Sequence, residues 1–368
     1  DPGRCRTGAR ENGRQSSECQ VRLLLVHQNF PGQFRQLAPH LESRGHELVA
    51  ICSHQRPVAL KGKVLRYAEP EALPGVPLGT KLWHEGQQRS AAVARLAHGL
   101  AEEGWKPDVV LSHSGWGCGL TVKTIWPDCR HIAYLEWWFD PGSALLHHDA
   151  SNQELGLTPA SGSNLWLRNQ ALALELVAAD HIVSPTPWQR AQLPPSLQQR
   201  CQVIFDGVDT KNLPLVLQSE RQQSLVLETK HAKTFIPANV PLVTYVTRCF
   251  EPYRGWPQVA EGLARLMQRN PRAHVLLVGS DDVAYGAKRG DGMSWREWAL
   301  KEWPMDPDRL HVLPALSYEK YLAVIQRSWV HVYWTVPFIL SWSLMESLAS
   351  GCCVVASATP PVQEMIRS

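Results

Sequence analysis

Two series of short apolar runs, each alternating with helical segments, constrain this chain more than any other feature. The first series opens at Val21-Arg22-Leu23-Leu24-Leu25-Val26, a buried-strand pattern that ends in the loop His27-Gln28-Asn29-Phe30-Pro31-Gly32. From Gln33 to Arg44 the apolar residues Phe34, Leu37, Ala38 and Leu41 recur at helical spacing, and Gly45 closes the segment before Leu48-Val49-Ala50-Ile51. That is one β-α-β unit. The alternation predicts a helix over 86–103, strands over 109–111 and 131–135, a helix over about 164–178, and last strands over 181–184 and 202–205. A second series has strand-like runs over 242–247, 274–278, 310–313, 330–333 and 353–356, separated by helical segments.

Strands that alternate with helices imply parallel sheets, so the fold class is α/β with two facing Rossmann-like domains and a cleft between them. The domains are expected at 21–209 and 240–368. Residues 210–239 follow no sustained period and read as the connection, and residues 1–20 are too poor in large apolar side chains to offset their ordering entropy, which predicts a disordered tail.

The chain has 368 residues with 37 basic and 34 acidic side chains. No Lys/Arg run gathers that charge on one face, which argues against a nucleic-acid partner. No stretch approaches the roughly 18 to 20 apolar residues of a membrane span, and the first 20 residues have no apolar signal core. The expectation is a soluble, cytoplasmic protein for which at most a peripheral membrane contact is open. Nine cysteines are spread along the chain with no Cys-x-x-Cys pair and no His at zinc-finger spacing. They read as reduced thiols, and no metal is expected.

The most informative segment is 245–255, Tyr-Val-Thr-Arg-Cys-Phe-Glu-Pro-Tyr-Arg-Gly, because Arg248 and Arg254 lie in the loop that leaves the first strand of the second domain. An arginine presents a fixed fork of donors to phosphate oxygens, and two of them can neutralise a departing diphosphate. This segment resembles the Arg-x5-Lys-Gly phosphate-binding element of retaining glycosyltransferases of family 4 (glycosyl transferases group 1), which have the GT-B fold, with Arg254 in the Lys place. A second match lies in 337–351, which resembles the Glu-x7-Glu element of the same family. The resemblance implies that Glu346 binds the donor ribose. Phe338 stands where the family has its first Glu, which accepts hydrogen bonds from the donor sugar, and Ser341 where the family has a Gly. The helix terminus near Ser341 can still offer backbone N–H groups to phosphate.

In the first domain the resemblance implies that Gly32 lets the backbone approach the donor and that His113, after a buried strand, lies against the donor sugar. Glu136 and Trp137 follow the next strand and are candidates for the acceptor side; Trp116, Trp138 and Phe139 lie near them. The run Gly115-Trp116-Gly117-Cys118-Gly119 imitates a dinucleotide fingerprint, with Glu136 closing the next strand. Position 120 is Leu where the third glycine is wanted, however, and the motif follows a later strand.

The resemblance covers about 21–366. It implies a glycosyltransferase of the hexosyltransferase kind that moves a sugar from a nucleotide-diphosphate donor to a glycan, lipid or small-molecule acceptor with retention of configuration. In that reading Arg248, Arg254 and His113 are catalytic, and Gly32, Ser341 and Glu346 join the two arginines in binding the donor. No cofactor is required beyond the donor itself. A sugar-nucleotide epimerase or an inactive nucleotide-sugar-binding relative, which Phe338 permits, is the alternative. Nucleobase, sugar, acceptor and oligomeric state stay open. Glu364 matches the family's last motif, after which a further strand and a helix crossing back to the first domain are expected.

Overall fold

The computed structural model describes residues 20–71, 73–76, 78–148, 161–229 and 233–366, so the tail expected over 1–20 lies outside the described residues but for Gln20. The first sheet has seven parallel strands in the spatial order Lys63–Arg66, Glu47–Cys52, Arg22–Val26, Val109–His113, Arg130–Tyr134, His181–Ser184 and Cys201–Val203. The second has five, in the order Leu310–Leu313, His274–Ser280, Leu242–Cys249, Val330–Tyr333 and Cys353–Ala356, again all parallel. In both sheets the first strand of the series is flanked on both sides. It is therefore buried on every edge, which is why Leu24, Leu25 and Val26 are fully inaccessible.

Helices cover the sheets with faces set by spacing. In Trp256–Arg269 the buried residues Trp256, Val259, Ala260, Leu263, Ala264 and Met267 form one stripe, and they pack on Val243, Tyr245, Val275 and Leu277. Each large side chain of that stripe contributes about 1.5–3 kcal/mol by leaving water. The predicted helix over 164–178 is two helices, Ser161–Leu167 and Gln170–Ala178. Asn169 sits between them and pairs its side-chain amide with the backbone of Phe139 in both directions, at 2.9 and 2.8 Å.

The stretch 210–239 is not a free connection. Leu225–Glu228 and Lys233–Ile236 form an antiparallel pair whose Leu227 and Ile236 enter the second domain's core beside Leu242, Leu276 and Val324. Ahead of that pair Arg221 is fully buried and donates to the carbonyls of Ile325 (2.8 Å), Gln326 (3.0 Å), Ser328 (3.0 Å) and Val216 (3.1 Å), and to that of Ser350. The second domain therefore begins well before residue 240. Among the described residues no helix is long and apolar enough to cross a membrane.

Candidate active site

The carboxyl ends of both sheets face each other, and the residues singled out from the sequence collect there in two groups. The first group is a polar chain in the first domain. The Asn29 N–H donates to His27 Nδ1 (2.9 Å), which leaves the proton on Nε2, and that nitrogen lies 2.7 Å from Gln33 Oε1. The Gln33 amide then donates to Glu136 Oε1 at 2.8 Å. From the other side the Gly115 N–H donates to His113 Nδ1 (3.3 Å), and His113 Nε2 stands 3.4 Å from Glu136 Oε2. Two backbone amides thus fix both histidine tautomers, and both lines of donors converge on one carboxylate.

Burial dominates at each end of this chain but with different outcomes. His27 is pushed down to about 3, by desolvation first and by the neighbouring His113 second, so it is a neutral donor at any physiological pH. Burial would raise the Glu136 carboxyl, but the contacts from His113 and the hydrogen bond from Gln33 outweigh it and hold it below the usual carboxylate range. Glu136 is the member that reaches the cleft: its side chain is 29% exposed while that of His113 is 2%.

Gly32 has a different neighbour from the one expected. Its φ is +47°, and a Cβ there would stand 2.3 Å from His27 Nε2, so the missing side chain makes room for the His27 ring. The imitation fingerprint is structural as well. Gly117 has φ +78° and would meet the Gly86 backbone at 2.8 Å; a Cβ on Gly119 would meet Glu175 Oε1 at 2.2 Å. Both glycines are filled against protein rather than open to a dinucleotide.

The second group lies on the second domain. Arg254 is 8% exposed and donates from Nη1 to Thr335 Oγ1 (3.1 Å) and the Ile339 carbonyl (2.8 Å), with no carboxylate partner among the described residues. Arg248 is exposed at the end of its strand. Glu346 is buried in the helix Trp342–Ala349 and accepts from Tyr318 Oη at 2.7 Å. Ser341 caps that helix by accepting the Ser343 N–H (3.3 Å), and its own N–H donates to Tyr333 Oη (2.8 Å). Those two helix-terminal donors, expected to be open to phosphate, are engaged within the protein.

Contacts between the domains run through the same place. Arg35 reaches Glu346 Oε1 at 3.4 Å, with its guanidinium 4.2 Å from the Tyr318 ring centre. Asp206 accepts from Tyr134 Oη (2.7 Å) and from Trp342 Nε1 (3.3 Å); burial raises its carboxyl. A recess lined by Gln33, Arg35, Asp206, Gly207, Trp342 and Glu346 opens between these contacts. Trp137, expected as an open acceptor face, is buried against Phe338 instead, with ring centres 4.9 Å apart; Tyr253 (5.5 Å) and Tyr285 (4.9 Å) pack on the other sides of Phe338. The position where the resembled family has an acidic residue is the centre of an aromatic cluster that joins the domains. Another recess, at the opposite end of the first sheet, has its Trp105 and Lys63 already engaged by Glu47 and Glu103.

His27, Gln33 and Arg35 were not singled out from the sequence. Their partners Glu136 and Glu346 lie far along the chain, and only the loop's place at a strand's carboxyl end could have marked them.

Two Rossmann-like domains of parallel strands facing across this cleft define the GT-B architecture of glycosyltransferases. The model of the Glycosyl transferase family 4 group matches residues 44–213, most of the first domain. Among solved structures, sucrose-phosphate synthase from Thermosynechococcus elongatus aligns with a TM-score of 0.62 and 18% identity, covering 94% of this chain and 84% of that one. Anabaena HepE in complex with UDP and glucose gives 0.61 at 16% identity, with 95% and 84% covered. A UDP-N-acetylglucosamine 2-epimerase from Listeria monocytogenes, so described in its own structure, gives 0.52 at 12% identity, with 94% and 82% covered. At these identities the likeness is one of fold. No curated protein matches the chain.

Proposed function

We propose that the protein is a glycosyltransferase that moves a sugar from a nucleotide-diphosphate donor to an acceptor hydroxyl, with retention at the anomeric carbon as the resemblance of 248–255 and Glu346 implies. The observation that carries this reading is Arg254: a guanidinium that is 8% exposed with no carboxylate partner among the described residues. The rings of Tyr285 and Phe338, 5.5 and 5.8 Å from this guanidinium, offset part of the cost of burying it, but they supply no counter-charge, and a diphosphate would. Arg248, six residues before it and exposed, adds a second cation with no ion pair among the described residues.

In the transfer the bond from the anomeric carbon to the diphosphate oxygen breaks, a bond to the acceptor oxygen forms, and the acceptor hydroxyl's proton passes to the departing diphosphate. Negative charge develops on the departing diphosphate, where Arg248 and Arg254 oppose it without a metal ion. Glu346 holds the ribose hydroxyls once the donor has displaced Arg35. His113 and Glu136 line the facing wall, and Phe338, enclosed by Trp137, Tyr253 and Tyr285, offers the sugar no hydrogen bond where the resembled family has a carboxylate.

Supporting this reading are the family match over 44–213 and the GT-B neighbours, of which HepE holds UDP and glucose in its own structure. The test is release of nucleoside diphosphate from UDP-, GDP- and ADP-sugars with and without added acceptor. Acceptor-dependent release is expected, and Arg254→Ala should lower it by about 10²-fold. Interconversion of donor sugars without acceptor would instead identify an epimerase.

A further inference from the structure

His113 and Glu136 line one wall of the cleft, and the polar side chains of His27 and Gln33 lead through hydrogen bonds to Glu136. His27 and Gln33 are not needed to hold the fold's strands together, since the His27 N–H already bonds the Ile51 carbonyl and the hydrophobic core surrounds the loop independently. Besides the ring contacts of His27 with Phe34 and His113, their side chains bring an amide N–H to Glu136 Oε1 at 2.8 Å, opposite the contact His113 makes with Oε2. Each carboxylate oxygen keeps a free lone pair after these contacts. The carboxylate is thereby oriented, kept ionised and left able to accept one more hydrogen bond from the cleft.

Trp116 stacks on the outer side of His113, with ring centres 6.2 Å apart and planes 22° from parallel, and it is 37% exposed. An exposed indole on one side of His113 and an oriented carboxylate at its Nε2 match a pyranose ring, which offers a C–H face for stacking and hydroxyls as donors. An aliphatic alcohol offers the hydroxyl alone.

We propose that Glu136 and Trp116 form the acceptor subsite for a sugar hydroxyl, and that His27 and Gln33 are positioning residues acting through Glu136. This rests on the transferase reading and names its acceptor class. Glu136 binds the hydroxyl of a glycoside, Trp116 supports the ring, and the chain from the Asn29 N–H through His27 and Gln33 sets the angle of the carboxylate.

The experiment measures nucleoside diphosphate release by the full chain, with the UDP-, GDP- or ADP-sugar that it binds. Methyl α-glucopyranoside, methyl α-mannopyranoside, methyl β-galactopyranoside and hexan-1-ol are the added acceptors. One of the glycosides should stimulate release, and hexan-1-ol should not. Losing a hydrogen bond to an ionised group changes affinity about 10-fold or more, so Gln33→Leu and Glu136→Gln should raise the KM for the glycoside by about that factor. The Kd of Glu136→Gln for the nucleoside diphosphate should stay within about twofold, because Glu136 does not line the recess beside Glu346. Trp116→Ala, at an exposed position that does not threaten folding, should raise the same KM, and Trp116→Phe should restore most of it.

Stimulation by hexan-1-ol alone or by no acceptor, or an unchanged glycoside KM in Gln33→Leu and Trp116→Ala, overturns the acceptor assignment while nucleotide binding still stands. Failure of all three donors to bind overturns the transferase reading and this inference with it.

Discussion

Glu175 shows what a single residue can impose on a fold. It lies fully buried in the helix Gln170–Ala178 and accepts from Ser112 Oγ (2.6 Å) and the Gly119 N–H (3.2 Å). Burial is the largest influence on it and outweighs these bonds, raising the carboxyl to about 7. An acid held above its unfolded value of 4.5 stabilises the fold fully below pH 4.5 and loses that contribution as pH rises to about 7. The loss amounts to about 3 kcal/mol in all. Glu175→Gln should therefore raise the melting temperature more at pH 8 than at pH 5, as thermal unfolding across that range would measure. Gly119→Ala should lower it at both, because the new Cβ has no room beside the carboxylate. Of the site residues, Arg254 and Glu346 were legible because each belongs to a spaced motif within one loop or helix. The His27–Gln33–Glu136 chain was not, since Gln33 and Glu136 are 103 positions apart and no periodicity records a contact of that range.

At the scale of elements, strands buried on both faces were read from their apolar runs, and the edge strand Lys63–Arg66 was missed. Its two charged ends and half-buried Val64 and Leu65 leave little to distinguish it from a loop. The stretch 210–239 is equally poor in pattern. Only Leu227 and Ile236 of its two strands are buried, too few to create an alternating pattern, and its strongest anchor is an arginine. Arg221 bonds five backbone carbonyls, which tertiary structure alone brings together. Arg221→Met should destabilise the second domain by about 3 kcal/mol or more, because those carbonyls lose a charged donor in a buried place. Urea unfolding followed by tryptophan fluorescence would measure it. A neutral result would show that the segment is held by the apolar residues alone.

For the molecule as a whole, the two domains meet through Arg35 on Glu346, Asp206 between Tyr134 and Trp342, and Trp137 on Phe338. In this arrangement Arg35 holds the carboxylate assigned to the donor ribose, so donor binding has to displace it. Arg35→Ala should tighten nucleoside diphosphate binding severalfold, by removing a competing contact of about 0.5–1 kcal/mol. Titration calorimetry would read that change, and weaker binding would make Arg35 a ligand of the donor instead. In the proposed function this cleft binds a nucleoside diphosphate through Arg254. Thermal unfolding of the full chain with UDP, GDP and ADP, in wild type and Arg254→Ala, tests it most directly. A ligand at about 100 times its Kd adds about 2.7 kcal/mol to stability, so one of the three should raise the wild-type melting temperature by several degrees and do far less for the variant. No shift with any of the three, or an equal shift in Arg254→Ala, would show that Arg254 does not bind a nucleoside diphosphate here.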